Sequence, residues 1–442
     1  MHARAQPTRE ERRKLVDGMR RGDHPRSVTD RLQLFRAYME RTAAAADPRS
    51  AIARGLYVPP PGRSVADQVA GRIELQPAST HLVVGGIGSG KTTQLLVTQE
   101  RLQRISDMEA IYVDVSRRHD LNKLDSGVLV ALAGLSFAKL LADDKSLPVV
   151  RAKAFFSKWA LAGDQFFRPD DHDHDHDHDN YDNGPPSDDG QDEPGEWVNV
   201  PPVLSPSPRA ATPSLTSSEG AALKVLTEAL RQRLPHIALL VDSLDLIINM
   251  NAFEAIVRDD VALLVALGIG VVLVGPLKLL YGTWLPIAAP FDKIYQLSWI
   301  DPEEPTGREF LTRVLRARGP ENILSDEGAA RLVNVCGGVL RDLIGLARDA
   351  GEEAYLAGDE IIGSAHADAA ADAFGRTLML GLSTDDLTTL QRVRVQGTFV
   401  PVSDEDLALL MSGRVLEYRN GRVRYAVHPT IRPLLEQLAA TP

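Results

Sequence analysis

The chain of 442 residues holds a single cysteine, Cys336, so no internal disulfide can form and a disulfide-stapled scaffold is excluded. Aromatic residues are scarce, at 5%. Apolar runs of membrane length are also lacking. The longest uncharged stretch, Val261 to Leu277, has 17 residues, is broken by Gly268, Gly270, Gly275 and Pro276, and falls short of the roughly 18 to 20 that span a bilayer. It reads as the end of a helix followed by a buried strand. Met1 to Arg21 alternates charges and has no apolar centre of the kind a secretory signal needs. With the lone thiol, this makes a reducing, cytoplasmic compartment the expectation, with no membrane partner.

What is present is a chain 44% hydrophobic and 25% charged, large enough for two or three domains. The formal charge of -11 is unevenly placed. Between Asp164 and Glu196 stand 13 acidic residues and one basic, Arg168, so the remainder carries 48 basic and 47 acidic residues and is close to neutral. The first 54 residues run the other way, with 13 Arg and Lys against 7 Asp and Glu. Such a segment can contact nucleic acid or an acidic partner, or be a solvated helical surface.

Residues Arg9 to Ala45 are rich in helix formers, with Leu32, Leu34, Phe35 and Met39 spaced for one helical face. Three prolines in Tyr57-Val58-Pro59-Pro60-Pro61-Gly62 end this region. From His81 onward short apolar runs alternate with helical patterns, which predicts an α/β fold: a parallel sheet with helices on both faces. The predicted strands are His81 to Val84, Ala110 to Val115, Ile237 to Val241, Gly270 to Val274 and Lys293 to Leu297.

Between the second and third strands, helices are expected over Ser126 to Ala142 and Val149 to Ala160, followed by a polar tract from about Gly163 to Ser218. That tract contains Asp171-His172-Asp173-His174-Asp175-His176-Asp177-His178-Asp179 and many prolines, a composition that predicts disorder. Its imidazoles and carboxylates can take zinc or nickel weakly, but a uniform repeat offers no fixed ligand geometry, so ordered metal binding is not expected. Further on, Pro305 to Phe374 reads as several helices. Thr384 to Leu438 reads as a small unit with helices near Thr384 to Val393 and Asp404 to Met411 and a hairpin turning at Asn420-Gly421, where both turn positions would need positive φ. Helices followed by a hairpin point to a winged-helix module.

The most specific signal is Gly85-Gly86-Ile87-Gly88-Ser89-Gly90-Lys91-Thr92, which meets every fixed position of G-x-x-x-x-G-K-[ST], with an apolar strand entering and a helical pattern from Thr93 leaving. The glycines let successive backbone amides and the helix N-terminus converge on phosphate oxygens; Lys91 is expected at the β and γ phosphates, Thr92 at Mg²⁺, and Thr93 beside them. A metal-binding carboxylate is expected on a strand beside this one. Ile237-Ala238-Leu239-Leu240-Val241-Asp242 supplies it, with Asp242 as the Mg²⁺ ligand at the carboxyl end of the sheet. Asp245 is the candidate to orient or deprotonate water, or else it caps a helix over Leu246 to Asn251. No guanine-specifying N-K-x-D motif is present, which makes ATP the default nucleotide.

Over about Tyr57 to Leu438 these residues resemble the AAA+ and STAND branches of P-loop ATPases. Asp242-Ser243-Leu244-Asp245 looks like the D-x-L-D form of STAND ATPases, and Ser243 stands where most AAA+ members carry a catalytic Glu. The departure implies slow hydrolysis and a nucleotide switch. Cys336-Gly337-Gly338-Val339-Leu340-Arg341-Asp342-Leu343 resembles the sensor-2 helix of AAA+ lids in initiator-type members that also end in a winged helix. The resemblance implies that Arg341 faces the γ-phosphate; without it, Arg341 is a helix-surface arginine. Val274-Gly275-Pro276 lacks the polar residue usual at the sensor-1 position, and no arginine finger stands out among Arg258, Arg313 and Arg316.

The expected organisation is a helical arm over 1–56, an ATPase core over 57–300 with the insertion at 163–218, a helical lid over 301–378 and a winged-helix-like domain over 379–442. The expected function is an ATP-binding regulatory or remodelling ATPase whose lid movement controls a partner protein, with a homo-oligomer open. The alternative is an ATP-controlled DNA-binding protein, in which Arg419, Arg422 and Arg424 would meet phosphates, although Asp404-Glu405-Asp406 opposes it. A small-molecule kinase fits the organisation less well.

Overall fold

The computed structural model describes residues 28–44, 47–160, 213–320 and 322–440. The expected helical residues before 28 and the polar tract up to 212, with its His/Asp repeat, lie outside the described residues.

The chain starts with α1 (Val28–Ala44), then α2 (Pro48–Ala53), which opens with Asp47 as N-cap and proline at its first position. α3 (Val65–Leu75) begins at a capping box, the Ser64 and Asp67 side chains each accepting from the other's backbone amide. β1 (Thr80–Gly85), α4 (Lys91–Leu102) and β2 (Met108–Asp114) follow. The insertion opens with α5 (Val128–Leu140) and α6 (Leu147–Ala160), both expected from the sequence. The tract expected to lack structure ends earlier than Ser218: Ser217 Oγ caps α7 (Ser218–Arg231) by accepting from Gly220 N at 3.1 Å.

β3 (His236–Asp242) leads to α8 (Met250–Ala255), a π-helical turn at Ile256–Val261 and α9 (Ala262–Ala266). In that turn Asp260, fully buried, takes the N-terminus of α5: Oδ2 accepts from Leu129 N at 2.8 Å, and Oδ1 from Gly127 N and Ser126 Oγ. β4 (Gly270–Gly275) and β5 (Lys293–Leu297) complete the sheet. The apolar stretch from Val261 is therefore a helix end and a buried strand, and no described helix is long and apolar enough to cross a membrane. The rest is α10 (Pro305–Arg316), α11 (Asp326–Val335), α12 (Leu340–Ala357), α13 (Ser364–Met379), α14 (Thr384–Gln396), α15 (Asp404–Met411), β6 (Val415–Arg419), β7 (Val423–Val427) and α16 (Arg432–Ala440).

All strand pairs of the five-stranded sheet are parallel, in the order β2-β3-β4-β1-β5. Alternate residues face opposite layers. Leu82, Val84, Leu239, Val241, Val271 and Leu273 pack under α5, α6 and α7, while Val83, Ala238, Leu240, Val272 and Val274 pack against α3 and α4. Burial on both faces is why these strands read as unbroken apolar runs. The sheet order corrects one expectation. β3 does not lie beside β1, because β4 pairs with both and separates them.

The described chain packs as two units, one drawn from 59–299 and 383–427, the other from residues up to 58, 300–382 and 428 onward. The first holds the sheet, its helices, α14, α15 and the hairpin. In it Lys278 Nζ meets Asp404 Oδ1 at 2.8 Å, and buried Glu417 of β6 accepts from Tyr281 OH and, at 2.6 Å, from Arg419 Nε. The hairpin also differs from expectation: Arg419 pairs with Val423, leaving a three-residue loop, and of Asn420 and Gly421 only Gly421 has positive φ. A loop one residue longer than the Asn-Gly turn relieves Asn420 of the left-handed conformation. The second unit is helical, built on Phe35, Tyr38, Phe310, Leu311, Leu332, Leu343 and Leu346. There Gly338, at φ 75, lets the Ile300 carbonyl approach to where a Cβ would stand 1.6 Å away, and Cys336 is buried with its thiol pushed up to about 12.

Candidate functional site

The loop Gly85–Gly90 joins the carboxyl end of β1 to the first turn of α4. Gly88 and Gly90 have φ of 74° and 95°, a region open to glycine at no steric cost. Gly85 and Gly86 are required by packing instead, since a Cβ on Gly86 would meet the Trp299 ring at 2.0 Å and one on Gly85 the Leu297 carbonyl at 2.5 Å. Trp299 also donates from Nε1 to Ile87 O at 2.9 Å, so the residue just beyond β5 braces the loop from behind. Composition gave no sign of this role.

α4 starts without a side-chain cap, and its first turn presents Lys91, Thr92 and Thr93. Uncapped amides at a helix N-terminus are the groups that hold phosphate oxygens. Ser89 Oγ adds to them, being shielded from solvent and without a hydrogen-bond partner. These features fit a bound polyphosphate. Lys91 is buried, and Nζ donates to Gly85 O and Gly86 O, both at 2.9 Å, and to Asp245 Oδ2 at 3.0 Å. Its three protons thus have three acceptors.

Asp242 ends β3, in register with Asp114 at the end of β2. Although β4 intervenes, the Thr92 hydroxyl lies close enough to Asp242 to pull its pKa down. Asp242 also accepts from Tyr112 OH at 2.7 Å and from Ser243 N at 2.8 Å. Burial pushes its pKa above the ordinary carboxylate value, with the hydrogen bonds from Thr92, Tyr112 and Ser243 pulling the other way and the Asp245 charge adding to the rise.

Asp245 sits in a 3₁₀ turn at Leu244–Leu246, and its side chain goes to Lys91. It does not cap the following helix; Asn249 does, accepting from Asn251 N and Ala252 N. Ser243 adopts a left-handed backbone at φ 71 and donates from Oγ to Asp114 Oδ1 at 2.7 Å. Tyr112 and Asp114 were missed by sequence reasoning, although Asp114 closes an apolar strand much as Asp242 does. Arg341 lies in the other unit, exposed on the first turn of α12. Of the other arginines considered, Arg258 is bonded to Asp259 and Arg316 to Asp326 and Leu324 O. Among the described residues no group of three or more His, Cys, Asp or Glu could hold a metal ion. A Thr92–Asp242 pair still fits Mg²⁺, which is commonly held by one or two protein ligands together with phosphates and water.

The topology and the loop together define a P-loop NTPase fold, α/β with a parallel sheet followed in sequence by helices and a winged-helix-like arrangement. No family model and no curated protein matches the chain. Among solved structures, it is similar to the Aeropyrum pernix ORC2 protein in ADPNP–ADP complexes (TM-score 0.40, 11% identity, covering 87% of this chain and 97% of that one). It is also similar to Drosophila ORC bound to DNA (0.39, 14%, 98% and 99%). A third is the Thermotoga maritima RuvB Holliday junction branch migration motor (0.35, 12%, 84% and 97%). At these values the likenesses assign no function.

Proposed function

We propose that the chain binds ATP with Mg²⁺ on the Gly85–Thr93 loop and acts as a slow regulatory ATPase whose nucleotide state is passed to a partner protein. One observation carries the reading: a buried lysine and a threonine–aspartate pair meet at an uncapped helix start behind a glycine loop. Lys91 exchanges its contacts with Gly85 O, Gly86 O and Asp245 for the terminal phosphates. Thr92 and Asp242 hold Mg²⁺, which offsets charge on the phosphate oxygens. Asp245 is the carboxylate against which the lysine returns.

Calorimetric titration tests the reading. Lys91→Ala should abolish ATP binding while the chain still folds, at a lowered thermal midpoint because Asp245 loses its buried partner, and Asp242→Asn should remove the Mg²⁺ dependence; unchanged affinity in both would refute it. A second reading, ATP-controlled DNA binding, is supported by the exposed Arg422 at the hairpin tip and by the engagement of Asp404 with Lys278. The other two hairpin arginines are already occupied, Arg419 by Glu417 and Arg424 over the Tyr418 ring at 4.5 Å. Affinity for duplex DNA that falls steeply with salt, and changes between ATP and ADP, would favour this reading; the DNA-bound state named for the Drosophila protein belongs to that protein.

A further inference from the structure

We propose that Asp245 is a built-in competitor of the terminal phosphates: in the empty loop it takes Lys91 in their place and so holds polyphosphate affinity down, an inference that rests on the nucleotide-binding reading above. The Lys91 side chain is 7% exposed and that of Asp245 15%, and their charges meet at 3.0 Å. A contact so shielded keeps the strength that solvent and salt take from surface pairs. Lys91 Nζ also lies 2.9 Å from both Gly85 O and Gly86 O, so none of its three protons is left for a ligand.

The loop is drawn in around this contact. Ser89 N donates to Gly86 O at 3.3 Å, and Ser89 Oγ lies 2.8 Å from where a Cβ on Gly85 would stand. One amide able to face an anion is thus used within the loop itself. Asp245 is held in position as well: Leu244 and Ile247, at 0% and 3% exposure, pin its 3₁₀ turn, while Leu246 and Ile248 face solvent. A polyphosphate entering the loop has to separate the pair. Lys91 then turns to phosphate oxygens, and Asp245 stays behind as an unpaired anion, three residues from Asp242 and facing the charge of the ligand. Neutralising Asp245 therefore weakens the empty state and relieves a like-charge repulsion in the occupied one. Both effects tighten binding.

Calorimetric titration of the full chain with Mg²⁺ and either ADPNP, which resists hydrolysis, or tripolyphosphate, which has no base, reads the effect. Asp245→Asn keeps a neutral acceptor for Lys91 Nζ, so the chain still folds; affinity for both ligands should rise about 10- to 100-fold, the worth of one charge-assisted hydrogen bond. Asp245→Glu, which restores the charge, should return affinity toward the wild-type value. The gain in Asp245→Asn should persist in about 0.5 M KCl, where a long-range effect of net charge is screened away. Unchanged or weaker binding by Asp245→Asn, the result expected of a residue that acts only on water, overturns the proposal. So does a gain that vanishes in salt, or one that Asp245→Glu reproduces. In each of those cases wild type still binds ADPNP and the nucleotide reading stands; wild type that binds neither ligand removes both.

Discussion

Lys91 contributes three donors to a pocket of fixed acceptors, and the nucleotide must outbid two carbonyls and one carboxylate to engage it. Asp242 is tuned in a related way. Burial lifts its pKa, and each hydrogen bond to its ionised form lowers it. Mg²⁺ binding needs the ionised form, so Mg²⁺-dependent ATP affinity should fall, on acidification, at a pH above the ordinary carboxylate range. Tyr112→Phe deletes a stabilising bond to the anion and should move that midpoint further upward; titrating affinity against pH in both proteins checks the direction. Gly86→Ala tests the packing behind the loop. Its Cβ would stand 2.0 Å from the Trp299 ring, so a lowered thermal midpoint is expected together with weakened ATP binding, and Trp299→Phe, which lacks the indole atoms nearest that Cβ, should relieve part of the loss.

At the scale of elements, β1 carries an unusual residue for a central strand. His81 is wholly buried, meets Ser79 Oγ at 2.8 Å through Nε2 and has no partner on Nδ1. Burial lowers its pKa to about 4, with Asp292 raising it and Arg72 lowering it. The unfolded chain, near 6.5, binds the proton more readily, so β1 favours folding fully above pH 6.5 and loses that contribution as pH falls toward 4. Thermal midpoints should drop over that interval, and His81→Leu should make the drop shallower; an unchanged slope would contradict this. Local chemistry places the ends of several helices, as at Ser403, whose Oγ accepts from Asp406 N at 3.1 Å. Ser403→Ala should cost about 1 kcal/mol in chemical denaturation.

At the scale of the molecule, the strand-rich unit gathers α14, α15 and the hairpin onto the sheet through few polar links. Glu417 is the central one, buried at 3% exposure and accepting from both Tyr281 and Arg419. Burial of the Tyr281 phenol, then its hydrogen bond to Glu417 and the charge there, raise that phenol well above its ordinary pKa. Glu417→Ala would strand a part-buried hydroxyl and should cost about 1 to 2 kcal/mol, read as a lower denaturation midpoint. Lys278→Ala, at a partner that is largely exposed, should cost far less.

The five strands, the phosphate loop and the main helices were legible in the residue order because each rests on a local rule: apolar runs for doubly covered strands, glycine and lysine at set intervals, serine before a helix. Strand adjacency was not, since pairing is settled between segments far apart in the chain, and so Asp242 proved to lie across β4 from the loop. The same holds for Trp299 behind Gly86, Tyr112 on Asp242 and Asp114 on Ser243, contacts that leave no periodic trace. Even the Asn420-Gly421 turn followed the register of its strands rather than its dipeptide. Short-range preferences choose each segment's form, whereas the burial of both sheet faces chooses neighbours, and in this protein the neighbours decide which side chains meet at the phosphate loop.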